Sequence, residues 1–355
     1  MRLYNQQHAF YCGIDLHKKT MYLCIIDERG EIVMHKNMRT RRTDFMHAVT
    51  PFREGLVVGC ECMFAWYWLA DLCENHGIEF VLGHALYMRA IYGAKTKNDR
   101  QDAYKIAHLL RGGNFPIAYV YSAEWRPTRD LLRRRGYFKR SRAELLTHIQ
   151  NTVTQYNLPP LRKKLAYKAN RDGVTEHFPD RHVRRSVEAD LALLDDYDEV
   201  VSGLELHLER TAKTHDAHTF YLLKTVPGIG KILGLTLLYE IYSIERFPRV
   251  QDFLSYCRLV RPTKTSAGKR TGDASGKKIG NAHLRWAFSE AVTGLLRDSS
   301  EVKRLKARLE KKYGEGRALS ILAARLGRSL YHMLRKREAF DMKRYLGQTE
   351  MAAAL

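Results

Sequence analysis

Apolar residues in the first third of the chain fall into short blocks separated by turn residues. FYCGIDLH is an apolar run with Asp15 near its end, and it predicts a strand. MYLCIID predicts a second strand, and Glu28-Arg29-Gly30 a hairpin turn into a third, EIVMHKNM. A helix is expected near Asp44–Arg53. LVVGCE is a compact apolar block, the mark of a central strand, and it ends on Glu61. An apolar-rich helix follows from about Phe64 to Asn75 and closes at His76-Gly77. IEFVLG predicts a fifth strand. Asp99–Arg111 sets Ala103, Ile106, Ala107 and Leu110 on one helical face and stops at Gly112-Gly113. The order β-β-β-α-β-α-β-α defines a mixed α/β domain.

Beyond it the pattern becomes helical. Arg126–His148 is strongly basic around RRRGYFKRSR. Like charges this dense need an anion nearby, so the helix is expected to touch nucleic acid. Asn157-Leu158-Pro159-Pro160 breaks the pattern, and 161–180 reads as a linker. From Val183 to Leu208 a long helix carries Val187, Leu194, Val201 and Leu208 at heptad spacing, with Asp190 interrupting the second stripe of Tyr197 and Leu204. This predicts a coiled coil joining two copies; the alternative is packing inside one subunit. Val226-Pro227-Gly228-Ile229-Gly230 resembles the turn of a helix-hairpin-helix element, whose glycine amides can approach a phosphate. A tight turn between packed helices would need the same glycines. Phe253–Val260, a polar Gly/Ser/Lys segment from Pro262 to Gly280, and helices near 282–297, 301–312 and 319–336 complete the chain. Met351–Leu355 reads as a frayed tail.

Charge narrows the function. Sixty Lys+Arg against 39 Asp+Glu leave +21, which points to a polyanionic partner. No apolar run approaches the roughly 18 residues that a membrane span requires, and MRLYNQQHAF has no secretory character. None of the six cysteines forms a CxxC pair, so they are expected to be buried thiols of a cytoplasmic protein.

In so basic a chain, Asp15, Glu61, Asp99 and Asp102 stand out. They lie at two strand ends and on the first turn of one helix, where Asp99 and Asp102 share a face. Carboxylates converging from separate elements suit magnesium, which prefers oxygen ligands, and metal-assisted phosphoryl transfer. Asp99 could equally be a first-turn helix acid. His17 is expected to be a surface residue or an outer partner of the acids. Lys95, Lys97 and Arg100 surround the last two acids and suit phosphate contacts. The segment RPTKTSAGKRTGDASGKKIGNAHLR holds Ser266 and Ser275 among Lys264, Lys269, Arg270, Lys277 and Lys278. It has the composition of a mobile phosphate-holding loop. A serine there could attack phosphorus, or the loop could bind DNA with incidental serines.

Taken together, the strand order and its acids resemble the ribonuclease H-like, RuvC-like arrangement. The whole chain resembles the IS110 family of insertion-sequence transposases. GIDLHK, GCE and AKTKNDRQDA match that family's Asp-Glu-Asp-Asp domain. TVPGIGKILGLTLL, FLSYCRLV, TSAGK and GKKIGNAHLRWAFSEA match its second transposase domain. The resemblance implies that Asp15, Glu61, Asp99 and Asp102 hold Mg2+ and that Ser266 is the nucleophile. Ala267 departs from the simplest Ser-Gly motif and keeps Ser275 as an alternative. It also implies DNA recombination through a phosphoserine linkage, donor and target DNA as partners, an element-encoded guide RNA, and a site shared between subunits of a dimer or tetramer. The expected domains are 1–155 (RuvC-like), 156–215 (linker and long helix), 216–340 (mainly α transposase domain) and 341–355 (tail). The rivals are a metal-dependent nuclease that uses water and a non-catalytic nucleic-acid binding protein.

Overall fold

The computed structural model describes residues 2–91, 98–260, 263–266, 269–273 and 279–347. The chain divides into two compact units, Met1–Ala123 and Glu124–Leu355.

In the first unit, the short strand β1 (Leu3–Tyr4) precedes β2 (Phe10–Leu16), β3 (Thr20–Asp27) and β4 (Ile32–Arg39). Helix α1 (Arg42–Val49), β5 (Leu56–Glu61), α2 (Tyr67–Asn75), β6 (Glu79–Gly83), α3 (Ala85–Ile91) and α4 (Asp99–Arg111) follow. The two-residue β7 (Phe115–Pro116) returns to pair with β1. The five strands expected from the apolar blocks form one sheet in the order β4-β3-β2-β5-β6. β2, β3 and β4 are antiparallel, whereas β5 runs parallel to both β2 and β6. β5 is central because Leu56–Cys60 are buried on both faces. At the β3–β4 turn, Asp27 Oδ1 accepts from the backbone N–H of Arg29 and Glu31, and Gly30 supplies φ +93°.

Strand parity divides the sheet's contacts. Cys12, Ile14 and Cys60 pack with α1 and α2, while Tyr11 and Val57 pack with Ala103, Ile106 and Leu110 of α4. Asp15 and Glu61 share the parity of Tyr11 and Val57, so both belong to the α4 face. Helix α4 lies close against that face at Gly13. A Cβ there would stand 2.1 Å from the Ala103 carbonyl oxygen and 2.4 Å from the Ala107 nitrogen.

The second unit begins with α5 (Arg126–Gln155), which groups by contact with the later helices. The compact first unit thus ends before the helix that the expected boundary at 155 had included. Helix α6 (Arg181–Lys224) runs antiparallel to α5: Arg135 meets Glu205, Arg142 meets Asp198 and His148 meets Asp190. The heptad stripe lies in this seam. Val187, Leu194 and Leu208 are fully buried and Val201 is 5% exposed, so the stripe already packs within its own chain instead of joining two copies. Asp190, which interrupts the pattern, sits 2.5 Å from His148 Nδ1 on α5. Near its end α6 kinks at Asp216 (φ −158°, ψ 82°), whose Oδ1 caps Thr219 N–H.

Helices α7 (Lys231–Ile241), α8 (Val250–Tyr256), α9 (Ala282–Asp298), α10 (Ser300–Tyr313), α11 (Glu315–Lys336) and α12 (Met342–Leu346) complete the unit. Their core includes Phe220, Leu235, Phe253, Leu284, Phe288, Leu326 and Leu330, all fully buried. Burial of such side chains contributes about 1.5–3 kcal/mol each. Strands β8 (Thr263–Ser266) and β9 (Lys269–Asp273) pair as a hairpin inside the polar segment expected to be a loop. Among the described residues, no helix is long and apolar enough to cross a membrane.

Candidate active site

The carboxylates converge through sheet register and helix packing. Parallel pairing of Ile14 with Cys60 puts Asp15 and Glu61 one residue further along adjacent strands. The close approach of α4 at Gly13 brings the start of that helix to the same end of the sheet. Asn98 serves as the N-cap, its side chain accepting from Arg100 N–H at 3.0 Å. Asp99 is therefore not needed as a cap. His35 Nε2 lies 3.0 Å from the Arg100 carbonyl oxygen. The ring series Tyr22–His35–Tyr104–His108 links β3, β4 and α4 beside it.

His17 stands between two of the acids. Its Nε2 lies 3.2 Å from Asp15 Oδ2 and 3.6 Å from Asp99 Oδ2. One donor atom from each of Asp15, His17 and Asp99 falls within 4.8 Å of the others, close enough to hold one metal ion. The Asp15 side chain is 19% exposed, against 43% for His17 and 54% for Asp99, so the group opens outward from Asp15. Asp15 Oδ2 is sealed from solvent, and His17 Nε2 faces it. Burial pushes the Asp15 carboxyl above its ordinary range; the charges of Asp99 and Asp102 push the same way, against His17. A buried carboxylate oxygen beside further acids fits a bound cation, because a cation would offset the repulsion among them.

Glu61 and Asp102 stand outside this three-residue group. Asp102 acts on Asp15 through its charge and lies 3.7 Å from Lys105 Nζ. His17, expected at the surface or as an outer partner of the acids, is 43% exposed and lies beside Asp15. Its place beside Asp99 depends on how α4 crosses the sheet.

Arg100 is exposed on the first turn of α4. Lys95 and Lys97 lie outside the described residues, as do Ser275, Lys277 and Lys278. In the second unit, Ser266 ends β8 and pairs with Lys269 of β9, while Lys264 and Arg270 lie within the same hairpin. The Val226–Gly230 turn has a packing role. Gly228, at φ +83°, lies against α9, and a Cβ on Gly294 would meet the Gly228 Cα at 2.5 Å. The glycines at this contact serve close helix packing, the alternative already open from the sequence.

The basic helix α5 departs from expectation. Arg129 and Arg133 pair with the buried Glu240, Arg135 with Glu205 and Arg142 with Asp198. The anions that relieve its charge are the protein's own carboxylates. Arg134 and Arg140 remain exposed, with Arg134 over the Tyr137 and Phe138 rings.

With this geometry in view, the comparisons identify first the class and then the family. The model of the DEDD transposase of IS110, described as a transposase, matches residues 12–158. The model described as the transposase of the IS116/IS110/IS902 family matches residues 221–307. A transposase for insertion sequence element IS1111A from Coxiella burnetii (strain RSA 493 / Nine Mile phase I) is 25% identical over 341 residues, covering 92% of this chain and 90% of its own length. A Sinorhizobium fredii (strain NBRC 101917 / NGR234) transposase, y4qE, is 25% identical over 230 residues, covering 64% of this chain and 55% of its own. The chain belongs to the IS110 family of insertion-sequence transposases. As such it is a DNA-acting enzyme of transposition.

Proposed function

We propose that the protein is a serine-dependent, magnesium-assisted recombinase that moves its insertion sequence under the direction of an element-encoded RNA. The observation that carries this reading is the convergence of Asp15 and Asp99 in a chain whose two halves match the two IS110 transposase models in order. The sheet order β4-β3-β2-β5-β6, antiparallel then parallel, supports a ribonuclease H-like, RuvC-like first unit.

Asp15 and Asp99, with Glu61 and Asp102 close by, would hold magnesium, and His17 could contribute a nitrogen. When bound, the metal supplies positive charge that steadies negative charge developing on a phosphate. Ser266 Oγ would form a bond to a backbone phosphorus as the bond to one sugar oxygen breaks. The hydroxyl proton leaves and the departing oxygen gains one. Attack by another sugar hydroxyl on the phosphoserine would reverse the step on a new strand, so no nucleotide is consumed. Lys264, Lys269 and Arg270 would neutralise the phosphate, and Lys95, Lys97, Arg100, Lys277 and Lys278 the flanking backbone. Donor and target DNA, the RNA and further copies of the chain are the partners in this reading.

A trapping assay tests it. Protein, element RNA and labelled DNA are incubated with magnesium, denatured and separated by size. A labelled band at protein size that disappears with Ser266→Ala supports the serine nucleophile. A band lost with Ser275→Ala instead moves the role there. Cleaved DNA without an adduct, abolished by Asp15→Asn but not by Ser266→Ala, identifies a nuclease that uses water.

A further inference from the structure

Among the described residues of the second unit, Glu240 is the most deeply buried acid. It lies on α7 at 1% exposure. Arg133 approaches it with Nε at 2.6 Å and Nη2 at 2.9 Å, and Arg129 with Nε at 3.0 Å. A further bond comes from Asn281, whose Nδ2 donates to Glu240 Oε2 at 2.8 Å. Burial alone would push this carboxyl up. The Arg133 hydrogen bond, the charges of both arginines and the Asn281 amide overcome that and hold it at about 2.

Asn281 joins this cluster to the segment bearing Ser266. Its Oδ1 caps α9, accepting from His283 N–H at 2.9 Å and Leu284 N–H at 3.1 Å. Its backbone N–H donates to the Tyr256 carbonyl at 2.6 Å, which binds the exit of the segment to the end of α8, where the chain enters it. Arg258 adds a second tie, from Nε to the Gly280 carbonyl at 2.9 Å. Gly280 fits this pinch at φ +92°, where a Cβ would stand 2.6 Å from the Tyr256 carbonyl oxygen. A purely structural ion pair would need only the arginines. Here the carboxylate also orients an asparagine whose other two functions are to cap a helix and close the root of a segment.

We propose that Glu240, held by Arg129 and Arg133, is a positioning residue that fixes Asn281 and thereby the root from which β8 and Ser266 extend. This rests on the serine reading above. A root held at both ends limits where the hairpin can present its hydroxyl. The cluster thus acts on the reaction from α5 and α7 without touching DNA.

Asn281→Ser isolates the tie, because serine still caps α9 but is too short to reach Glu240. Glu240→Gln removes the charge that draws the arginines. Leu330→Ala, in the same core, destabilises the unit without removing a hydrogen bond of the root. With full-length protein, element RNA and saturating labelled DNA, adduct formation by Asn281→Ser and Glu240→Gln is expected to slow roughly ten- to a hundredfold, the scale of a small misplacement of reacting groups. Their DNA affinity stays near wild type, and trypsin cuts the segment between residues 261 and 280 faster. Leu330→Ala, assayed well below its melting temperature, keeps the wild-type rate. If Asn281→Ser forms adduct at the wild-type rate, or Leu330→Ala slows as much as the two variants, the positioning role is overturned and the serine reading stands. A wild-type protein that cuts DNA without an adduct overturns both.

Discussion

Asp15 and Glu240 are both acids in folded surroundings, and they are handled in opposite ways. Glu240 is closed on all sides by two arginines and an amide, and its carboxyl is held at about 2. Asp15 has an oxygen sealed from water that faces His17, like charges at Asp99 and Asp102, and a carboxyl pushed upward. One acid is satisfied by the protein alone, so it can hold other residues in place. Among the described residues the other meets like charge and one histidine, as a site that receives a cation should. In a chain of net charge +21, the clustering of acids at Asp15 is the more informative of the two arrangements.

The contrast can be broken most severely at Asp15. Asp15→Asn should reduce DNA cleavage on the order of a thousandfold or more, since a catalytic metal supplies several kcal/mol. Its melting temperature should be unchanged or higher, because the substitution removes a disfavoured charge. A normal cleavage rate would end the metal reading. Glu240→Gln should do the reverse to stability, costing about 3–5 kcal/mol by leaving Arg129 and Arg133 without their counter-charge. Denaturant unfolding measures that loss.

Acid sharpens the same contrast. Because the folded Glu240 carboxyl lies below its ordinary 4.5, at about 2, its contribution to stability is complete above 4.5 and disappears as pH falls toward 2. That contribution is about 3 kcal/mol by linkage. The stability gap between wild type and Glu240→Gln should therefore narrow over this range, and a constant gap would contradict the assignment. Gly13→Ala forces a Cβ into the Ala103 carbonyl, at 2.1 Å, and should cost about 1–3 kcal/mol as α4 is pushed from the sheet. Metal affinity, read by calorimetry with Mg2+ or Mn2+, should fall with it as Asp99 moves away from Asp15. The smallest effect is expected at His17. His17→Ala should weaken metal binding about 10- to 100-fold if the imidazole ligates or orients a ligand, and calorimetry showing equal affinity would make it a surface neighbour.

The five strands of the first unit were legible because their apolar blocks have the right length and end on turn residues. Asp15 and Glu61 were legible as acids at strand ends, and Asp99 and Asp102 as acids on the first turn of an amphipathic helix. The ion pairs of the α5 arginines were not legible. Their partners Glu205, Asp198 and Glu240 lie 56 to 111 residues away in sequence, and local charge density cannot reveal them. The α6 stripe was recognised, but its occupant was not. A heptad pattern shows that a face must be covered without saying whether another copy or the same chain covers it. The β8–β9 hairpin was missed because a polar strand pair has no alternating apolar signal.

By itself, the sequence determined the five-stranded order of the first unit, the apolar faces, the acidic positions, the serine-bearing segment and the family to which they belong. These follow from periods of two and 3.6 residues and from motifs that are local in the chain. Tertiary structure alone decided that His17 stands between Asp15 and Asp99, that the Asp15 carboxyl is buried beside like charges, and that Glu240 takes two arginines and Asn281. Each of these depends on residues distant in sequence meeting at a crossing such as Gly13 with Ala103. Whether a buried charge is satisfied is a property of what surrounds it in space.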